Sequence, residues 1–536
     1  MKLSNNYLSY KEEFESKGYE LPNFDREKVK EETFNNPTWL HFGAGNIFRG
    51  FPAVVQQELL NKGKVNTGII VSECYDYELI EKAYKPFDDL SILVVLKPDG
   101  SINKKVVGSV VESIVGDSEN TANWHRLQDI FKKSSLQMVS FTITEKGYSL
   151  VNPAGEYYGD VAYDLETGRV APKSFIGKLA ALCYERYVVD KLPIALVSMD
   201  NCSHNGTKLY NAVRVYAKSW VENGLVEEGF IEYIDTPSLV SFPWSMIDKI
   251  TPRPDESIKK ALEEEGLENT ETIITNKNTY TAPFVNAEEP QYLVIEDLFP
   301  NGRPALDAGG VIFTNRETVD KVEKMKVCTC LNPLHTTLAI YGCLLGYTSI
   351  SGEMKDEHLK KLIEKVGYQE GLPVVVNPEI IKPEDFIKEV IEVRFPNPFV
   401  PDTPQRIATD TSQKLAIRFG ETIKAYEERK DLDVTSLDYI PLVLAGWCRY
   451  LLAVDDNGIA FELSSDPLLT KVCAYLEGVK LGDRAPFTKN LQPILSDETI
   501  FGVNLYEVGL GKKVEGYFAE MTAGVGAIKE TLNKYL

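Results

Sequence analysis

A lysine, a carboxamide and an imidazole lie close together in one apolar stretch, Glu323-Lys324-Met325-Lys326-Val327-Cys328-Thr329-Cys330-Leu331-Asn332-Pro333-Leu334-His335. An apolar environment disfavours the charged form of lysine and lowers its pKa, so a lysine held there can exchange a proton near neutral pH. Asn332 and His335 are three positions apart and share a face if the segment is helical. The apolar run from Leu338 to Leu345 makes a helix the expected element. A buried helix with a snorkelling lysine has the same pattern. The stretch therefore needs partners elsewhere before it amounts to a site.

One partner lies upstream. Thr38–Phe42 is a strand candidate, followed at once by Gly43-Ala44-Gly45-Asn46-Ile47-Phe48-Arg49-Gly50. A helical pattern runs from Pro52 to Lys62, and a second strand, Gly68–Ser72, is finished by Glu73. Strand, glycine turn, helix, strand and acid form a βαβ unit of the dinucleotide-binding kind. Gly43 permits the tight turn, Gly45 lets backbone approach a pyrophosphate, and the acid binds a ribose hydroxyl. Glu73 is the first candidate for that contact and Asp76 the second. An acid there favours NAD over NADP by repelling a 2′-phosphate. Phe48 stands where the usual fingerprint has its third glycine, and a plain strand-to-helix turn would read the same way.

Further strands are expected at 91–96 and 105–111, joined as a hairpin through Lys97-Pro98-Asp99-Gly100, and at 138–144, 194–198 and 292–297. Two of them end in polar clusters, Glu145-Lys146-Gly147-Tyr148 and Asp200-Asn201, where parallel sheets place their ligands. Asn201 could polarise a carbonyl or serve as a turn residue. Asp248 and Lys249 form a charged pair between apolar neighbours. From about residue 318 helical periodicity takes over, at 318–348, 354–366, 383–393, 411–427, 438–453, 466–477 and 513–535. The proline-rich segment 394–403 interrupts it. Arg406 and Lys414, near two helical turns apart, could offer two cations to one ligand or simply be surface charges. The expected architecture is an α/β Rossmann-type domain at 37–315, preceded by an extension at 1–36 and followed by a mainly α-helical domain at 316–536.

At 536 residues with 43% hydrophobic and 26% charged residues, the chain is an ordinary globular protein of more than one core. Its net charge of -21 argues against nucleic acid or an anionic membrane as the main partner. The eight scattered cysteines read as reduced thiols, and a secretory signal and a membrane span are not evident, so the cytoplasm is the expected location. The five histidines form no metal-ligand spacing, so no metal is expected.

These pieces together resemble the long-chain polyol and uronate dehydrogenases, the mannitol dehydrogenase family. The carriers are His41–Arg49, Thr142–Tyr148, Ser198–Asn201 with Asn205-Gly206, Met246–Pro252 and the stretch around Lys326. The resemblance implies a cofactor-binding turn of Gly43, Gly45, Asn46, Phe48 and Arg49. It implies Lys326 as the catalytic acid/base, Asn201 and Asn332 as carbonyl-polarising carboxamides, His335 as an orienting group and Glu145 as a proton-path residue. Asp248, Arg406 and Lys414 would then face the substrate. It also implies NAD as cofactor, no metal, a small anionic sugar acid as substrate and a monomer. The Asn-Pro-Leu-His-Thr wording looks more like the uronate-reducing members, which implies reduction of D-fructuronate to D-mannonate, with tagaturonate and the mannitol–fructose pair as rivals. An epimerase retaining NAD, or a non-catalytic sugar-acid binder, is the alternative of another class. One departure stands out: many members have four residues between the lysine and the asparagine, and five separate Lys326 from Asn332. Either the extra residue bulges the backbone there, or Lys324 competes for the role.

Overall fold

A computed structural model describes residues 1–536. The chain divides into two compact units, residues 1–96 with 101–320, and residues 97–100 with 321–536.

The first unit is built on six parallel strands: β1 (Trp39–Phe42), β2 (Ile69–Glu73), β3 (Val110–Val115), β4 (Met138–Phe141), β5 (Ile194–Ser198) and β6 (Val240–Ser241). Their spatial order is β3-β2-β1-β4-β5-β6, and every neighbouring pair is parallel. This is the doubly wound order, with its reversal between β1 and β4. Strands β1, β2, β4 and β5 are buried at every position, as a sheet covered on both faces requires. Side chains alternate between two cores. Leu40, Phe42, Ile70 and Val139 pack under helices α2 (Phe175–Asp190) and α3 (Asn205–Glu222). Trp39, Val71, Met138 and Val197 pack under α1 (Pro52–Asn61).

The expected hairpin is present, but its second run splits. Ser91–Leu96 pairs antiparallel with Ile102–Val107 in a separate four-stranded sheet. After Gly108 and Ser109 the chain resumes as β3 on the edge of the main sheet. The continuous apolar spelling hid this break. The N-terminal segment extends the smaller sheet, Tyr19–Glu20 pairing with Lys104–Lys105.

The second unit is helical. The chain enters it along α4 (Arg316–Met325) and passes through one wide turn, Lys326–Cys330, closed by Leu331 N–H donating to Lys326 O at 3.1 Å. It then continues as α5 (Asn332–Leu345), with Pro333 in the first turn, where its missing N–H costs nothing. Helix α5 crosses α6 (Tyr439–Tyr450) so closely that a Cβ on Gly446 would lie 2.8 Å from the Tyr341 ring, and Tyr341 donates to Leu442 O at 2.9 Å. Helix α7 (Gly511–Thr522) packs on α6. Glu370 caps α6, accepting from Tyr439 N at 2.8 Å and Ile440 N at 2.6 Å. Three more wide turns, Lys365–Gly371, Val390–Arg394 and Ala416–Gly420, interrupt helices of this unit. No helix is long and apolar enough to cross a membrane.

Candidate functional site

At the carboxyl ends of β1, β2 and β4 the first unit encloses a cavity of about 830 Å³, walled by Gly43 and Gly45, by Glu73–Asp76 and by Thr142–Thr144. Gly43 has φ +108°, and a Cβ there would meet Thr142 O at 2.2 Å, so no other residue fits. A Cβ on Gly45 would meet nothing within 4 Å, which leaves the turn open to close approach from the cavity.

Donor bookkeeping orders the support beneath this turn. Trp39 Nε1 can only donate, and it gives its proton to Ser140 Oγ at 2.7 Å. Ser140 then donates to His41 Nδ1 at 2.6 Å, His41 Nε2–H donates to Thr142 Oγ1 at 2.9 Å, and Thr142 donates to Gly43 O at 3.3 Å. Burial pushes His41 down to about 3, so the ring is neutral, as this chain of bonds requires.

Glu73 closes the turn from the other side. Its carboxylate accepts from Ala44 N (2.9 Å), Tyr75 N (2.9 Å) and Asp76 N (3.2 Å). Burial raises its pKa, and these donors oppose the rise. Asp76 accepts from Thr275 Oγ1 at 2.6 Å. Both acids line the cavity. Asn46 is engaged with the 280–281 backbone and side chain. Phe48 and Arg49 are not on the cavity wall. Phe48 is fully buried and stacks on His41 at 4.0 Å, and Arg49 is buried with one bond to Thr281 Oγ1 at 2.9 Å. They support the turn from the core.

A residue that spacing alone did not single out does more here. Asp200 accepts from Ile143 N (3.0 Å), Thr144 N (2.8 Å) and Tyr148 Oη (2.5 Å). It ties the loop after β4 to the loop after β5 and holds Thr144 at φ +63° on the cavity wall. Its signal was its place at the end of a buried strand. Glu145 lies outside the wall, with a 66% exposed side chain paired to Lys208. Asn201 is exposed in the loop after β5. Asp248 is buried at the end of a strand, opposite Tyr292.

In the second unit, Lys326, Asn332 and His335 fall on successive turns. The wide turn at Lys326–Cys330 takes up one more residue than an α-turn, which accounts for the extra residue before Asn332. Lys326 is 5% exposed, whereas Lys324 faces outward. Burial pushes His335 down to about 4; Asp402 opposes this, and Arg418, Arg406 and Arg394 reinforce it. Its Nε2 stands 3.5 Å from Asp402 Oδ2, and its ring lies 5.1 Å from that of Phe395. Arg406 and Lys414 do not share a continuous helix. Arg406 sits in the short helix Pro404–Ile407, and Asp410, at φ +54°, breaks the chain before Lys414. Both still lie in one charged neighbourhood, since Arg406 is paired with Asp402 and Lys414 is depressed by burial and then by Arg418. Arg418 itself is a cation the sequence reading passed over, although it stands four residues after Lys414. It donates to Thr336 Oγ1, which in turn donates to Asn332 O at 2.9 Å.

A doubly wound sheet with a cavity at its switch point, followed by a helical unit with a lysine and an imidazole at one break, describes a two-domain nicotinamide-dependent oxidoreductase. Comparison with known proteins narrows the class. Residues 37–308 match the mannitol dehydrogenase Rossmann domain and residues 318–517 the mannitol dehydrogenase C-terminal domain, and the chain belongs to the mannitol dehydrogenase family. It is 54% identical to the D-mannonate oxidoreductase of Thermotoga maritima over 100% of this chain and 99% of the relative. It is 27% identical to the polyol:NADP oxidoreductase of Gluconobacter oxydans, over 84% of this chain and 85% of that one. Among solved structures, D-sorbitol dehydrogenase in substrate-free form superposes with a TM-score of 0.79 at 24% identity, over 95% of this chain and 97% of the other. The Pseudomonas fluorescens mannitol 2-dehydrogenase ternary complex gives 0.68 at 24% identity, over 100% and 99%.

Proposed function

We propose that this enzyme interconverts D-fructuronate and D-mannonate with NAD(H). The observation that carries the substrate class is the group of cations around His335, Arg394, Arg406 and Arg418, with Lys414 beside them. A chain of net charge -21 gathers four cations in this one neighbourhood. Such a field suits a carboxylate. The full-length likeness to a D-mannonate oxidoreductase supports the same acid.

The residues of the first unit fit a dinucleotide: the turn of Gly43 and Gly45 is open to the cavity, and Glu73 and Asp76 line it. Two carboxylates there disfavour a 2′-phosphate and therefore NADP. NADH, when bound, supplies the hydride that reduces the ketone. Lys326 as ammonium gives a proton to the developing alkoxide oxygen, and as free amine takes it back in the oxidation. Asn332 donates a hydrogen bond to that oxygen, a contribution of about 3 kcal/mol in comparable oxyanion sites. His335, neutral, orients substrate hydroxyls. The substrate is a single small sugar acid, and the working unit is a monomer.

The test is NADH oxidation with D-fructuronate, D-tagaturonate and D-fructose, each repeated with NADPH. The reading predicts D-fructuronate with NADH as the fastest pair by at least tenfold. Preference for D-tagaturonate would move the enzyme to the neighbouring substrate. No NADH consumption, with NAD retained through purification, would favour an epimerase.

A further inference from the structure

One of the cations around His335, Arg418, has no partner of opposite sign. Arg406 is paired with Asp402. Lys414 donates to Thr409 O and lies in the field of Asp410 and Asp466. Arg418 makes one hydrogen bond, to the neutral hydroxyl of Thr336, and no ion pair. A guanidinium carries five N–H donors in a planar fork. Arg418 is half-buried, and a guanidinium drawn partly out of water against a single hydroxyl gains from an anion that completes it. A tie to Thr336 alone would use one donor of the five and no charge.

Its place is also defined by the backbone. Arg418 lies in the wide turn Ala416–Gly420, where Gly420 approaches Phe501 O so closely that a Cβ would stand 2.0 Å away. One turn further on, Thr422 donates to Cys328 O at 3.4 Å, inside the wide turn that begins at Lys326. Arg418 itself reaches the first turn of α5, which carries Asn332 and His335. The same helical segment thus touches both the lysine turn and the asparagine–histidine turn.

We propose that Arg418 is the specificity-determining anchor for the substrate's carboxylate, taking it in a two-pronged contact that a polyol or ketose cannot supply. The proposal rests on the sugar-acid reading of the substrate. Planar pairing of guanidinium with carboxylate supplies both energy and orientation. A lysine in the same place would offer charge without the fork.

The test is steady-state kinetics of Arg418→Met and Arg418→Lys with NADH, using D-fructuronate and D-fructose. Loss of a desolvated charge partner predicts that KM for D-fructuronate rises about 100-fold in Arg418→Met. KM for D-fructose should move far less, KM for NADH should stay within a factor of about two as a control on folding, and Arg418→Lys should recover part of the loss. An equal loss on both ketones, or a preference for D-fructuronate as strong as in the wild type, would overturn the anchor. A wild-type enzyme without preference for D-fructuronate over D-fructose would instead overturn the sugar-acid reading beneath it.

Discussion

The cavity of the first unit and the cation group of the second treat charge in opposite ways. Around the cavity, each carboxylate is met by hydrogen bonds of the protein itself. Glu73 holds three backbone N–H groups, Asp200 holds two and a phenol, and Asp76 holds a threonine hydroxyl. The wall is complete without a ligand, as suits a common dinucleotide bound mostly through backbone and shape. In the second unit, His335 Nε2 has no hydrogen bond in the protein, and Arg418 bonds only the neutral hydroxyl of Thr336. On the proposed reading, the carboxylate of the substrate completes that region. The contrast separates a rigid holder from a selective one, and specificity within the family should then vary more in the second unit.

The largest expected effect comes from the lysine turn. Lys326→Ala should lower kcat by about 10²- to 10⁴-fold while NADH titrates normally by fluorescence, the range typical of a lost acid/base. Near-normal turnover would remove Lys326 from the chemistry. Gly43→Ala should destabilise the first unit by about 3 kcal/mol in chemical denaturation and weaken NADH binding, because the new methyl meets Thr142 O at a strained φ. Intact stability there would mean that the turn yields easily and the wall is not rigid. Asp200→Asn should cost about 2 kcal/mol, since an amide cannot accept the same bonds at both ends. Its effect should appear in KM for NADH before it appears in KM for the ketone.

The last effect is one of pH, and it belongs to the second unit. Glu353 is fully buried, neither carboxylate oxygen has a hydrogen bond, and burial, followed by Asp356, raises it from 4.5 to about 9. A raised acid favours the folded state in its protonated form. That stabilisation is complete below about pH 4.5 and is lost as the pH rises through about 9. Glu353→Gln keeps the shape without the titration, so thermal denaturation of the variant should lose less stability over that range than the wild type. Parallel curves for the two proteins would show that Glu353 is not protonated in the fold.

Much of this was legible in the sequence where a local rule applied. The βαβ unit could be read because glycine, apolar period and acid all act over short distances, and β1, β2 and the Gly43 turn fall where they were expected. The lysine stretch could be read as two helical pieces with one residue too many. Only coordinates show that the backbone absorbs this residue as a wide turn. The split of 105–111 escaped because a run shared between two sheets spells like one strand. Phe48 and Arg49 look like ligand contacts in a motif, yet they face the core, since direction at a turn depends on tertiary packing against His41 and Thr281. Arg418 escaped because what marks it is the absence of a counter-charge, and an absence in space has no spelling.

The most direct test of the central claim, that the cation group with Arg418 selects an acid, is calorimetric titration of the enzyme–NADH complex with D-mannonate and with D-mannitol. Both ligands are already reduced, so binding is read without turnover. The account predicts D-mannonate to bind at least about tenfold tighter, with the difference shrinking as salt is added. Equal binding of the two would contradict it.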